Sequence, residues 1–372
     1  MFLLVYLPIF EHSVRVFVSN RSKNTFCSLR RGENIMHIKK KLLDIVRDKI
    51  RFKHYSISTE KTYVHWIKHY ILFHKKKHPV EMEKSEIEEY LTFLATEKQV
   101  SPSTQNQAFN AILFLYKEVL GVDTSEWNIQ ALRAQERKHI PVVLTKEEVQ
   151  KVLQNLTGVY KLVVTLMYGC GLRMSEVLNI RIKDIDFGFN KLYIWDSKSL
   201  KDRTIPLPLK LKDELLVQVK KIEEIHQKDL SDGFGTVYLP FAYEKKYPKA
   251  KSETKWQYLF PMNNISKDPR SEIKRRHHIH PQTLGRNIKI AAQKANLNKR
   301  VTSHIFRHSY ATHLLQAGID LRSIQELLGH KSVETENGYH HTYALATVVS
   351  AFSARHVVSE MNKTKLISPL DF

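Results

Sequence analysis

The sequence from 301 to 339, VTSHIFRHSYATHLLQAGIDLRSIQELLGHKSVETENGY, predicts two consecutive helices around which the second half of the chain is arranged. Thr302 or the serine after it suits the N-cap of the first helix, because a short hydroxyl can accept a bond from an unpaired amide of the first turn. Gly318 closes this helix and Gly329 ends the next, since glycine adopts the left-handed conformation that follows many helices. His330 is therefore predicted to lie on a turn.

Four residues of this stretch suit phosphoryl transfer: His304, Arg307, His330 and Tyr339. His304 and Arg307 are three positions apart and so share a helical face. An arginine can fork onto a phosphate, an imidazole can donate to its oxygens or shuttle protons, and a phenol can attack phosphorus. The alternative is a basic amphipathic helix pair, which accounts for the apolar positions but not for the two histidines and the arginine together.

The composition favours a polyanionic partner. The 372 residues carry 59 Lys and Arg against 38 Asp and Glu, a formal net charge of +21. Neutralising phosphates releases their counterions, which is the large sequence-independent contribution to nucleic-acid binding. An anionic membrane surface could attract the same charge, but no apolar run reaches the roughly 18 residues that a membrane-spanning helix needs. Cys27 and Cys170 are too few for a disulfide framework, so we expect a cytoplasmic protein.

Residues 1–35 differ from the rest of the chain. The apolar start is short, is broken by Pro8 and lacks the basic region of a signal peptide, and the residues after it show no periodicity. We expect translation to begin at Met36, with residues 1–35 either an upstream artefact or a disordered arm.

Residues 36–135 predict a helical domain. Apolar residues between 38 and 50 recur at helical spacing with lysines and arginines opposite. Ser85 and Glu88 suit a capping box for a third helix, and Ser101 followed by proline suits the start of a fourth.

A linker is predicted within residues 122–140, and a second domain over residues 141–372. The basic outer faces of the first domain could grip one side of a DNA duplex. For any single lysine, the alternative is a position on a solvated helix face.

A glycine-rich turn in the second domain precedes an arginine. Gly169 and Gly171 break one helix, and Arg173 lies at the start of another, where unpaired backbone amides already favour an anion. Glu176, one turn further on, can hold the guanidinium in place. The alternative is an arginine–glutamate pair with a purely structural role.

A strand and a hairpin are predicted next. Residues 179–187, NIRIKDIDF, alternate like a strand, and the segments around residues 191–196 and 203–208 predict a hairpin. Lys198 and Lys201 lie in its turn, where a lysine can reach into a groove and protonate a leaving oxygen. A solvated turn lysine is the alternative for both.

In order and spacing, these residues resemble the signature of the tyrosine recombinases, the lambda-integrase-like site-specific recombinases. The matching residues are Arg173, a hairpin lysine, His304, Arg307, His330 and Tyr339. By its position in the turn, Lys198 rather than Lys201 matches the family's catalytic lysine. The resemblance covers residues 36–372. It implies a mainly helical protein: a helical, SAM-like core-binding domain and a mixed α+β catalytic domain with a small antiparallel sheet.

The resemblance also implies a reaction. Tyr339 is expected to form a 3′-phosphotyrosyl link to DNA, with no metal or cofactor, in a homotetramer assembled on two recombination sites. Such a protein is expected in the bacterial cytoplasm, associated with the nucleoid.

An insertion at about residues 240–285 resembles the additional region of the integron integrases, which move gene cassettes between duplex attI and folded single-stranded attC sites. By spacing, four residues match positions implicated in holding the extrahelical bases of attC: Trp256, Pro269, His277 and His278. An exposed ring can stack on an unpaired base. Trp256 could instead belong to a core, because it alternates with Tyr258 and Phe260. Zinc binding by the histidines at 277, 278 and 280 is a further alternative, without a nearby cysteine.

Residues 336–338, Glu-Asn-Gly, depart from the family pattern, which has small or apolar residues before the tyrosine. The extra acid and the glycine could repel phosphate or loosen the tyrosine helix. Two alternatives to the integron type therefore stay open: a Xer- or phage-type recombinase acting on duplex sites, and a catalytically weakened DNA-binding protein.

Overall fold

The computed structural model describes residues 40–134, 142–195, 202–239, 243–268, 271–329 and 368–370. The chain forms two compact units, Met1–Arg137 and Lys138–Phe372. The predicted N-terminal arm, residues 1–35, lies outside the described residues.

The first unit is helical where it is described. Its helices are α1 (Leu42–Phe52), α2 (Ile57–Phe73), α3 (Lys84–Thr96) and α4 (Pro102–Phe114), and α4 continues into a π-helical segment, Leu115–Leu120. Tyr70 of α2 and Tyr116 lie in the buried core, and their hydroxyls are 2.9 Å apart. This bond satisfies two polar groups that would otherwise be costly to bury.

Helix α3 begins before the predicted capping box, and that prediction was wrong. Glu83 is the N-cap, and its amide donates to the Glu86 carboxylate over 2.9 Å. The ammonium of Lys77, 2.8 Å from Glu86, lowers the pKa of that carboxyl to about 2. An ion pair from outside the helix thus favours Glu86 over Glu88 as the capping carboxylate.

The second unit is mainly helical, with two small antiparallel sheets in its described part. Its helices are α5 (Lys146–Gln154), α6 (Gly158–Cys170), α7 (Met174–Asn179), α8 (Lys212–Ser231), α9 (Tyr243–Lys246), α10 (Pro281–Lys294), α11 (Ser303–Gln316) and α12 (Leu321–Leu328). Its strands are β1 (Ile185–Asp186), β2 (Lys191–Ile194), β3 (Arg203–Pro206), β4 (Pro261–Lys267) and β5 (Lys274–His278). The sheet orders are β1-β2-β3 and β4-β5. The mainly helical fold and the antiparallel β2–β3 hairpin confirm the predictions.

Helix α11 is the central helix of the second unit. Phe306, Tyr310 and Leu314 are buried, and so are residues on its other faces. The buried hydroxyl of Tyr168 on α6 lies 2.7 Å from His313 Nδ1. A helix that is buried on most faces belongs in the core of its domain, so α11 carries Arg307 into the interior.

The predicted ends of α11 and α12 are confirmed. Thr302 is the N-cap of α11 by its position, although its hydroxyl does not accept the expected bond from the first turn, and Gly318, just beyond the end of the helix, has φ of +88°. Asp320 caps α12 by accepting a bond from the Ser323 amide over 2.9 Å. Gly329 ends α12 with φ of +65°.

Only a short part of the strand predicted over residues 179–187 forms. Ile182–Asp184 is a 3-10 turn, and Ile185–Asp186 alone pairs with β2. The Asp184 carboxylate accepts a bond from the Arg181 amide over 2.8 Å, which folds the chain into the turn.

Within the described ranges, no helix is both long enough and apolar enough to cross a membrane.

We predict that Gly171→Ala destabilises the second unit. Gly171 has φ of +60°, and an added Cβ would lie 2.5 Å from Tyr310 Cδ1 and 3.1 Å from Leu328 Cδ2. Backbone strain and overpacking together should lower the free energy of unfolding by about 2–4 kcal/mol. Urea unfolding measures the change.

The matched control is Gly285→Ala. Gly285 lies inside α10, and an added Cβ would meet no atom within 4 Å outside its chain neighbours and the backbone of its own helix. Alanine should raise stability there by about 0.5–1 kcal/mol. Similar effects at the two glycines would contradict the packing described around Gly171.

Candidate active site

The Glu176 carboxylate is the centre of the candidate site. It lies on α7, and its side chain is 4% exposed. Its Oε1 lies 2.6 Å from Arg173 Nη1, and its Oε2 accepts a bond from the Arg173 amide over 2.9 Å. The predicted Arg173–Glu176 pairing is therefore present, at the turn that follows Gly171.

Arg203 also binds Glu176, and sequence reasoning did not single it out. Its two terminal nitrogens donate to both carboxylate oxygens, over 3.1 and 2.8 Å, and its Nε donates to the Leu327 carbonyl over 2.9 Å. In the register of β2 and β3, Arg203 pairs with the buried Ile194, which puts it on the inner face of the hairpin. The sequence signal that could have indicated Arg203 is its position as the first residue of the strand that follows the turn with Lys198 and Lys201.

Arg307 reaches the same cluster from α11. It is 3% exposed, and it donates to the Gly171 carbonyl over 2.7 Å and to the Leu328 carbonyl over 2.6 Å. Its Nη1 lies 3.8 Å from Glu176 Oε2. These bonds tie α11 to the turn before Arg173 and to the end of α12.

The cluster carries an excess of positive charge. Three guanidinium groups surround one carboxylate. The bonds and charge of Arg203 outweigh the effect of burial and hold the pKa of Glu176 at about 2. Burial, followed by the charge of Arg173, lowers the pKa of Arg307 to about 9, so its guanidinium stays protonated at neutral pH. Such a cluster suits the binding of a phosphate, which would bring the missing negative charge.

The other predicted catalytic residues fall partly outside the described residues. His304 lies in the first turn of α11 and is exposed. Lys198, His330 and Tyr339 lie outside the described residues. In the sequence, Lys198 falls between β2 and β3, and His330 follows Gly329.

The residues predicted to hold extrahelical bases differ in exposure. Trp256 is 8% exposed, in an apolar cluster with Val237, Leu239 and Ala250. The Tyr243 ring lies 4.7 Å from its ring centre, and Lys183 Nζ lies 4.6 Å from it. Trp256 ends a 3-10 turn and does not lie on a regular strand. Pro269 lies outside the described residues.

His277 and His278 close strand β5 and are half-buried. Burial and the adjacent ring lower the pKa of His277 to about 4, and burial also lowers the pKa of His278. Both are therefore neutral at pH 7. Their rings lie 5.1 and 5.4 Å from the Tyr258 ring, and His278 Nδ1 donates to the Ile279 carbonyl over 2.8 Å.

The alternative of a zinc site at these histidines gains no support from the described geometry. His280 caps α10 by accepting a bond from the Gln282 amide over 3.3 Å. No group of three or more His, Cys, Asp or Glu side chains that could hold a metal ion occurs in the part of the chain that the structure describes.

Comparison with known proteins identifies relatives of both units. Residues 142–345 match the phage integrase family, and residues 42–126 match the SAM-like N-terminal domain of phage integrases. An integrase/recombinase of Escherichia coli is 42% identical over 301 residues, which are 81% of this chain and 89% of that protein. The tyrosine recombinase XerA of Pyrococcus furiosus is 32% identical over 236 residues, 63% of this chain and 65% of that protein.

A solved structure shares the fold. The Tn1549 transposon integrase, in complex with transposon right end DNA, superposes with a TM-score of 0.55 at 15% identity. The match covers 84% of this chain and 100% of that one.

We predict that Glu176→Gln lowers the free energy of unfolding by about 3 kcal/mol, because it leaves buried arginines without their counter-charge. The pKa of Glu176 is lowered in the fold, to about 2 from an ordinary value of 4.5. Its contribution should therefore be complete above about pH 4.5 and decline as the pH falls towards 2. Urea unfolding of both proteins across this range measures the difference.

Glu326→Gln is the matched control. Glu326 pairs with Arg322 at 3.6 Å on the surface of α12, with its side chain 73% exposed. Its loss should change stability by less than about 1 kcal/mol. A difference between wild type and Glu176→Gln that stayed constant down to pH 2 would contradict the lowered pKa of Glu176 in the fold.

Proposed function

We propose that this chain, which belongs to the phage integrase family of tyrosine recombinases, cuts and rejoins DNA at specific sites through a 3′-phosphotyrosyl intermediate. The Tyr339 hydroxyl attacks the scissile phosphorus, the bond to the 5′-oxygen breaks, and Lys198 gives that oxygen a proton. His304 assists proton movement at the nucleophile. The free 5′-hydroxyl of a partner strand then attacks the phosphotyrosine, which restores a phosphodiester and releases Tyr339.

Arg173, Arg307 and His330 stabilise the charge that develops on the phosphoryl oxygens in this proposal. The observation that carries it is the cluster in which Arg173, Arg203 and Arg307 meet around Glu176. Glu176 fixes the guanidinium groups before DNA arrives, so little reorganisation is needed when charge develops. The positive charge that Glu176 does not offset favours the binding of a phosphate next to the cluster.

We propose further that the chain is an integron integrase, which inserts and excises gene cassettes at attI and folded single-stranded attC sites as a homotetramer. The support is the insertion at about residues 240–285. Its described part forms the β4–β5 hairpin and contributes Ala250 and Trp256 to a separate apolar cluster with Val237 and Leu239, so it is a folded element that can present side chains.

Trp256, Pro269, His277 and His278 hold the unpaired bases in this proposal. A neutral, half-buried imidazole offers a flat face to a base without the cost of burying a charge. Trp256 is 8% exposed, so a base reaches its ring only after the groups that cover it have moved.

The test is a covalent-adduct assay on a denaturing gel. Full-length protein and Tyr339→Phe are mixed with a labelled attC-type hairpin bearing extrahelical bases, and with the equivalent duplex. We expect an adduct on the hairpin with wild type and at least a 1,000-fold loss, on the order of removing a catalytic nucleophile, with Tyr339→Phe. Tyr343→Phe is the matched control and should retain the adduct.

The other outcomes separate the alternatives. An adduct on the duplex alone indicates a Xer- or phage-type recombinase. DNA binding in a band-shift assay with no adduct on either substrate indicates a catalytically weakened DNA-binding protein, with residues 336–338 as the explanation. An adduct that persists in Tyr339→Phe contradicts the assignment of the nucleophile.

We predict that Arg203→Lys slows adduct formation by about 10- to 100-fold without weakening DNA binding. A lysine keeps the charge, but it cannot bind both Glu176 oxygens and the Leu327 carbonyl at once. The side chain of Arg203 is 8% exposed, so we assign it a positioning role. Single-turnover rates and band-shift affinities measure the two effects.

Arg322→Lys is the control, since Arg322 is a surface arginine with its side chain 89% exposed. It should change neither quantity. A parallel loss of affinity and rate in Arg203→Lys would instead indicate that Arg203 contacts DNA.

A further inference from the structure

The outer face of the β1–β3 sheet carries aromatic side chains next to lysines. Along β2, Leu192 and Ile194 point into the core, while Lys191 and Tyr193 lie on the other face. Trp195, directly after the strand, continues that outer row and is 54% exposed. The apolar core therefore does not account for this tryptophan.

Trp195 is exposed but held in a defined orientation. Its Nε1 donates to Asp184 Oδ1 over 2.8 Å, and Asp184 is buried. The Tyr193 ring stacks beside it, with ring centres 6.0 Å apart and 22° between the planes. An indole fixed in this way loses little conformational entropy when another ring packs on its exposed surface.

Lysines lie next to the exposed rings. Lys183 Nζ lies 5.1 Å from the centre of the Trp195 ring and forms an ion pair with Asp184 at 2.6 Å. At the other end of β2, Lys191 Nζ lies 5.6 Å from the ring of Phe189, which is 76% exposed. Aromatic faces beside ammonium groups are the combination that single-stranded nucleic acid requires, because bases stack and phosphates need cations.

The two tryptophans of this region have opposite surroundings. Trp256 is covered by Tyr243 and by Lys183, whereas Trp195, which also lies against Lys183, is 54% exposed. The lysines and the net charge of +21 favour a polyanion over an apolar protein partner at this face.

We propose that Trp195 is a stacking platform for an unpaired nucleotide of the DNA substrate, with Tyr193 supporting the indole and Lys183 next to the flanking phosphate. This inference rests on the proposed function, since it assumes that DNA is the substrate, and it adds a base-binding position outside the residue 240–285 insertion.

The experiment is a double-mutant cycle in which the side chain of Trp195 and the bases of the oligonucleotide are removed separately and together. Full-length wild type, Trp195→Phe and Trp195→Leu are titrated with a short labelled oligothymidine and with its abasic counterpart, which keeps every phosphate. Trp195→Leu should weaken oligothymidine binding by between about 5-fold and about 150-fold. Removing the bases should weaken wild type by a larger factor than it weakens Trp195→Leu, because only wild type then loses the stack on the indole.

Trp195→Phe separates stacking from a structural role. Phenylalanine keeps a ring but loses the bond to Asp184, so most of the affinity should remain if stacking matters. Equal losses in Trp195→Phe and Trp195→Leu would overturn the proposal. Val217→Ala, at a position 68% exposed on α8, is the surface control and should bind like wild type.

The comparison of oligothymidine with its abasic counterpart uses wild-type protein, so its result does not depend on whether a variant folds. If wild type binds both oligonucleotides equally, the stacking proposal is overturned while DNA binding stands. If wild type binds neither these oligonucleotides nor duplex DNA, the proposed function fails and this inference fails with it.

Discussion

The second unit depends on the compensation of three arginines by the single carboxylate of Glu176. Arg173, Arg203 and Arg307 come from the start of α7, from β3 and from α11, so the charge cluster joins three separate elements. Burying cations without a counter-charge is strongly destabilising. Glu176 is therefore needed both for the stability of the fold and for the geometry of the site. One carboxylate does not neutralise three guanidinium groups, and the remaining positive charge can attract a phosphate.

The packing of α11 explains how a buried arginine is tolerated. Arg307 donates to the carbonyls of Gly171 and Leu328, which are free because a helix ends near each of them. Glycine is needed at position 171 because the Cβ of any other residue would clash with the Tyr310 ring. The turn at Gly171 thus leaves space for the Tyr310 side chain of α11, and it also leads into Arg173, which binds Glu176.

A second charged layer lies beside the β1–β3 sheet. Arg181 is buried, with its guanidinium 4.6 Å from the Tyr258 ring centre, and it donates to the Trp256 carbonyl over 2.6 Å. Lys183, nearby in the chain, lies against the rings of both Trp195 and Trp256. Of the two tryptophans, Trp256 is buried and Trp195 is about half exposed, and both belong to the same unit as the arginine cluster.

Sequence alone determined the helical class, the ends of α11 and α12, the β2–β3 hairpin and the Arg173–Glu176 pair, because caps, glycine conformations and neighbouring pairs are local properties. Arg203 escaped notice because its contact with Glu176 spans 27 residues and depends on strand register. The capping box at Ser85 failed because Lys77 decides which carboxylate caps the helix. Tertiary structure alone decided that Arg307 is buried, that Trp256 is covered and that Trp195 is exposed, since burial depends on what packs against a side chain and not on its type.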